Sequence, residues 1–258
     1  MTHSKTALIT GASAGLGVTF ADRLAALGYN LVLVARRREK LSAVAEDMET
    51  RHKVQTHILE ADLSEPQAPE AIYAALADLN ISIDYLVNNA GSAGPDLFEE
   101  RDWSEQQKFF ELMMTSVAHM CHLFVPAMIE KDFGRIINVA SVAGRIPRPS
   151  GCNYGPSKAY VIALTEELAV SLKGTGVNAT ALCPGFTHTD FHEVAELMEM
   201  KNNMPSWMWY PAEVVVDDGI KAVEKGKPIK ISGRLYRWLD PFFQSVWTRP
   251  LVRVRGRE

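Results

Sequence analysis

The chain is short of cysteine, of surplus charge and of long apolar runs, and each shortage removes a class of protein. Three cysteines, Cys121, Cys152 and Cys183, stand among 258 residues. An odd, sparse and unclustered set argues against a disulfide framework and for free thiols in a reducing compartment, here the cytoplasm. Metal-ligand spacing is missing among them, and His188 and His192, a lone pair at i and i+4, are weak evidence of a metal site, so none is expected. A net charge of −4 with 22% charged residues offers no basic surplus to address nucleic acid. No run approaches the roughly 18–20 apolar residues of a transmembrane helix. The apolar stretch before Gly11 is too short for a signal peptide. Repeats and low-complexity linkers are also lacking. With 47% hydrophobic residues, the chain can bury a substantial core, and it is read as one α/β domain over residues 1–258.

What is there is alternation. Short apolar runs, "TALIT" (Thr6–Thr10), "NLVLVA" (Asn30–Ala35), "VQTHILEADL", "IDYLVNNAG", "GRIINVAS", "GVNATALCPG" and "PIKIS", read as seven strands. Helical patterns lie between them, the longest from about Trp103 to Lys131, with another near Pro211–Lys225. Strands this apolar argue for a doubly wound, mostly parallel sheet with helices on both faces, a Rossmann-type fold. Ligands of such sheets bind beyond the carboxyl ends of the strands, where strand order reverses. Five turns, after Thr10, Ala35, Glu60, Val87 and Val139, should therefore share one edge.

The first of these is "TGASAGLG". Gly11, Gly15 and Gly17, with Ser13, Ala14 and Leu16 between them, let the backbone approach a pyrophosphate at a helix N-terminus. A tight strand–helix turn would also use glycine, but the placement after the first strand favours dinucleotide binding. The second turn, "VARRREK", lacks the carboxylate that would hold a ribose 2′-OH. Guanidinium groups stand there instead and can grip a 2′-phosphate. The reading is NADP(H), with Arg36 and Arg37 as contacts and Arg38 and Lys40 as solvated charges. In the third turn, Asp62 (followed by Leu63) is either an acceptor for the adenine amino group or, like Ser64, a cap for the next helix. The fourth, Asn88 to Gly91, puts Asn89, Ala90 and Gly91 where a nicotinamide ribose would lie, although a plain turn also likes these residues.

"CNYGPSK" places Lys158 four residues after Tyr154, on the same helical face. A phenol of pKa ~10 is a poor acid–base catalyst near neutrality. A neighbouring ammonium favours its phenolate. Ser141, thirteen residues before Tyr154, offers a hydroxyl to hold a substrate oxygen. Together with "TGASAGLG", "ADL", "NNAG", "INVAS", "YGPSK" and "CPGFTHT", the chain resembles the short-chain dehydrogenase/reductase superfamily, and "LVLVARRREKL" its NADP-preferring members. The resemblance implies that Ser141, Tyr154 and Lys158 are catalytic, and that Lys158 also binds the ribose. It further implies backbone contacts to the nicotinamide from Cys183, Pro184 and Gly185, and contacts from Thr187 and Thr189 to the carboxamide or phosphates. Pairing through the two long helices would give a homodimer or homotetramer. One departure stands out. Relatives carry a catalytic asparagine thirteen residues before a proline like Pro126, a position that here holds Met113, and no asparagine occurs from Ser92 to Ile137. This implies reduced turnover or a different proton path.

Residues 186–211 resemble the family's substrate lid and carry Met198, Met200, Met204, Trp207, Met208, Trp209 and Tyr210. They read either as a pocket for a bulky apolar carbonyl or alcohol or as ordinary helix packing. The tail 234–258 has six arginines against Asp240 and Glu258, with Trp238, Phe242, Phe243 and Trp247 at roughly helical spacing. Such a stripe is usually buried, against the lid or a second subunit; the other reading is a surface that docks on acidic lipid. The function expected is reversible, NADPH-dependent reduction of an apolar ketone or aldehyde. The alternative is a weakly active or non-catalytic NADP-binding scaffold or sensor, motivated by Met113.

Overall fold

The computed structural model of the protein describes residues 5–146, 153–187 and 209–248. Strands β1 (Thr6–Thr10), β2 (Asn30–Ala35), β3 (Thr56–Glu60), β4 (Tyr85–Asn88), β5 (Gly134–Val139), β6 (Val177–Cys183) and β7 (Ile229–Ile231) form one sheet in the order β3-β2-β1-β4-β5-β6-β7. Every pairing is parallel. The near-continuous apolar runs follow from burial on both faces. In β1, Ala7 and Ile9 enter a core cluster with α1 (Gly15–Ala26), α2 (Arg38–His52) and α7 (Ala212–Glu224), whereas Leu8 enters the opposite cluster with α3 (Ala68–Asp78) and α5 (Ser116–Glu130). Between β5 and β6 runs α6 (Tyr154–Ser171), whose Val161 and Ile162 pack on Ala181 and Cys183. Strand order reverses between β1 and β4, which opens the carboxyl edge there.

One expectation changes. The long helix is α4 (Trp103–Phe110), a π-turn (Glu111–Thr115) and α5. Over Trp103–Glu130 it includes an 18-residue window of mean hydropathy 1.5, so by length and composition a segment of membrane-spanning size does exist. Its apolarity has a local reason: Val117, Met120, Cys121, Phe124, Val125 and Met128 are buried against the sheet. In the single chain the aromatic stripe of the tail lies at the surface. Helix α8 (Arg234–Gln244) turns Tyr236 and Asp240 inward and leaves Trp238 80% and, beyond its end, Trp247 85% exposed.

Candidate active site

The turns after β1, β2, β3, β4, β5 and β6 line a cleft of about 840 Å³. At its β1 end, Gly11 has φ +66°, and a Cβ there would lie 2.8 Å from Asn89 Nδ2. A Cβ on Gly17 would lie 2.1 Å from Gly11 O, so this turn closes only with glycine. No side chain caps the start of α1. Its first turn also holds no acidic side chain, so the N-terminal N–H groups and positive dipole end are left to the cleft, which fits a pyrophosphate. Asn89 does more than occupy its turn. Its amide donates to Thr10 O (2.9 Å) and Gly11 O (3.3 Å), and Thr10 Oγ1 accepts the N–H groups of Asn89 (2.9 Å) and Ala90 (3.0 Å). These bonds tie the β1 and β4 turns into one floor.

Arg37 Nη2 donates to Ser13 Oγ (3.1 Å), and the Arg36 guanidinium lies 3.7 Å from Asp62 with most of its side chain in solvent. Asp62 Oδ1 accepts from Ser64 N (3.0 Å) and Ser64 Oγ (2.7 Å). Neither residue caps α3, whose N-cap is Gln67, so the capping alternative is corrected: the carboxylate is spent on its own turn. Burial alone would raise the Asp62 pKa, but the Ser64 bonds and the Arg36 charge outweigh it and hold the carboxyl below its ordinary value. Leu63 and Gly91 also line the cleft.

At the other end, Ser141 follows β5 and caps a 3₁₀ turn (Val142–Gly144), its Oγ accepting from Ala143 N at 3.1 Å. Tyr154 opens α6, and Lys158 lies one turn on. The Lys158 ammonium is buried and donates to Val139 O (2.8 Å), 5.9 Å from the Tyr154 ring centre. Burial pushes its pKa down to about 8. Cys183, close by in β6, is the reverse case: burial raises its thiol to about 12, which leaves no thiolate near neutrality.

Pro184, Gly185 and Thr187 also line the cleft. Thr187 Oγ1 donates to Gly185 O (3.1 Å). Thr189, His188, His192, Cys152 and the lid methionines fall outside the described residues. Gly17 supports the turn without lining the cleft.

Sequence reasoning named Met113 only as a departure from the family, and it missed Tyr236 and Arg145. Met113 is 1% exposed in the π-turn, and its Sδ accepts the Ser92 N–H at 3.3 Å beside Gly91. Tyr236 of α8 covers Gly185 so closely that a Cβ there would meet its ring at 2.1 Å. Arg145 clasps Asp240 through Nε–Oδ1 and through Nη2–Oδ2 at 2.7 Å, holding α8 to the Ser141 loop. Only Met113 had a signal, the missing asparagine; the others depend on distant contacts.

The sequence profile of the short chain dehydrogenase family matches residues 5–199. The sulfoacetaldehyde reductase of Chromohalobacter salexigens is 37% identical over 185 residues, covering 71% of this chain and 72% of the relative. A short-chain dehydrogenase from Sphingobium yanoikuyae, solved with NADPH, superposes with a TM-score of 0.81 at 28% identity over 98% of both chains. A bulky-bulky ketone specific alcohol dehydrogenase from Comamonas testosteroni does so with 0.77 at 26% identity, over 100% of this chain and 98% of its own. With the fold and profile in agreement, this chain belongs to the short chain dehydrogenase family of oxidoreductases, acting between CH–OH and C=O groups.

Proposed function

We propose that the protein is an NADPH-dependent reductase of apolar ketones or aldehydes. The observation that carries this is the convergence of Ser141, Tyr154 and Lys158 on the cleft that also holds the glycine turn and Arg36. A reduced nicotinamide bound there would supply the hydride to the carbonyl carbon. Tyr154 gives the proton to the carbonyl oxygen. Ser141 Oγ already accepts from Ala143 N, so its own O–H is left to orient that oxygen. Lys158, anchored on Val139 O, keeps a positive charge below pH about 8 that favours the Tyr154 phenolate after transfer.

Cofactor preference rests on the second turn. The exposed Arg36–Asp62 contact at 3.7 Å is weak, so Arg36 can leave it for a 2′-phosphate at little cost. Substrate class rests on the lining: Phe109, Leu112, Met113, Ile146, Phe186 and Tyr236 give the cleft an apolar and aromatic wall, beside which Glu105 and Lys108 also line it. That wall suits a bulky apolar ketone.

NADPH oxidation followed by absorbance over a panel of aryl and long-chain ketones tests the reading. Turnover that Tyr154→Phe cuts by a thousandfold or more is expected, in line with loss of a catalytic proton donor and its hydrogen bond. NADPH binding without turnover of any carbonyl would replace it with the scaffold or sensor reading, which the buried Met113 favours.

A further inference from the structure

Helix α8 has two faces of different chemistry. The inner face is committed: Asp240 to Arg145, and Tyr236 to Gly185, Phe186 and Tyr210. The outer face carries Trp238, 80% exposed, and the exposed Phe242, continued by Val246 and the 85% exposed Trp247. Arg234 and Arg237 are exposed on the same helix. The segment's single carboxylate, Asp240, is turned inward, so the outer face mixes indole and guanidinium with no acid. The sequence then adds Arg249, Arg253, Arg255 and Arg257 against Glu258.

Exposed aromatics grouped with arginine mark an interaction surface rather than chance solvent exposure. Two occupants differ in chemistry. A second protein copy would need a matching patch that brings acid to the arginines, because this face paired with itself about a two-fold axis sets guanidinium against guanidinium. The other exposed large apolar side chains among the described residues are spread over the remaining helices and loops. An anionic bilayer needs no such match: indoles settle at the boundary of headgroup and hydrocarbon, and guanidiniums pair with lipid phosphates.

We propose that the outer face of α8, with Val246 and Trp247, docks on an anionic lipid surface. Tyr236 lines the cleft from the inner face of the same helix, so docking sets the cleft beside the membrane. On the reductase reading above, the enzyme then draws carbonyl substrates from the lipid phase; the docking itself does not depend on that reading.

The test is co-sedimentation of the full chain with vesicles of phosphatidylcholine alone or mixed about three to one with phosphatidylglycerol. Binding at least tenfold stronger to the anionic vesicles is expected, with a blue shift of tryptophan emission. Binding should weaken severalfold as salt rises from about 0.05 to 0.5 M. Trp238→Ser with Trp247→Ser, and separately Arg234→Glu with Arg237→Glu, should each lose at least tenfold. Both should keep the wild-type melting temperature and the wild-type rate on a small water-soluble ketone. Equal binding to both vesicle types, no binding, or undiminished binding by both variants overturns the proposal. So does a change of oligomeric state in the tryptophan variant without vesicle binding by the wild type, which would make this face a subunit interface. Vesicle binding by a protein that oxidises no NADPH would leave docking intact and remove the reductase reading instead.

Discussion

Lys158 is a cation in a place that disfavours cations. Burial brings its pKa from 10.5 to about 8, equivalent to about 3 kcal/mol. Between those two values the unfolded chain holds a proton that the folded chain has released, so stability rises with pH across that window. Below about pH 8 the penalty is felt in full. Lys158→Met removes both the penalty and the bond to Val139. The cofactor-free variant is therefore expected to be about 1–2 kcal/mol more stable than wild type at pH 7, a rise in Tm of about 2–6 °C. The advantage should vanish as pH approaches 10.5. Thermal unfolding at both pH values checks this, and a variant less stable at pH 7 contradicts it. In alcohol oxidation the same variant should lose activity most near neutrality and recover part of it toward pH ~10, where the phenol ionises unaided. Tyr154→Phe has no phenol to ionise and should show no recovery. At the cofactor turn, the wild type is expected to prefer NADPH over NADH at least tenfold, about 1.4 kcal/mol. Arg36→Asp should abolish or invert that preference; calorimetry that finds NADH bound equally well by the wild type removes the 2′-phosphate reading.

Among the elements, legibility followed locality. The strands "TALIT" and "NLVLVA" were readable to the residue because double-sided burial demands unbroken apolar runs. The glycine turn was readable because its steric need is local: Gly17 sits against Gly11 O. The π-turn was not, since "ELMMT" has the composition of any helix and the wider loop of a π-turn leaves no mark in residue types. The inward turn of α8 was also hidden. It depends on Arg145 and Asp240, 95 residues apart, and on the ring of Tyr236 over Gly185. Asn89 looked like any turn asparagine, because its bonds to Thr10 and Gly11 join residues about 80 positions apart. The α8 clasp carries its own prediction. Asp240→Asn leaves the half-buried Arg145 guanidinium with a neutral partner and should cost about 1–3 kcal/mol. Hydrogen exchange should show α8 opening more readily than the sheet, and a lower rate should accompany it because the Ser141 loop loses its brace. Unchanged exchange in α8 would mean that the aromatic contacts alone hold it.

At the scale of the whole molecule, the exposed apolar residues outside α8 include Trp103 on α4, Ile129 on α5, and Tyr160 and Val170 on α6. These are the helices through which the family resemblance implies pairing, and a two-fold assembly would cover them. Light scattering at micromolar concentration is expected to give a dimer or tetramer, and Tyr160→Arg combined with Val170→Arg a smaller species. A wild-type monomer would rule this out. The strand order has a consequence for how the chain is made. β1 lies between β2 and β4, and Thr6 and Asp84, hydrogen-bonded where β1 meets β4, are 78 residues apart. At about 5–20 residues per second on the ribosome, β1 waits roughly 4–16 s for that neighbour. During that interval "TALIT", a strand buried along its whole length in the finished protein, presents a bare apolar edge. Faster initiation, which crowds nascent chains together, should therefore lower the yield of folded protein more than it lowers synthesis, and a holdase that covers short apolar strands should restore it.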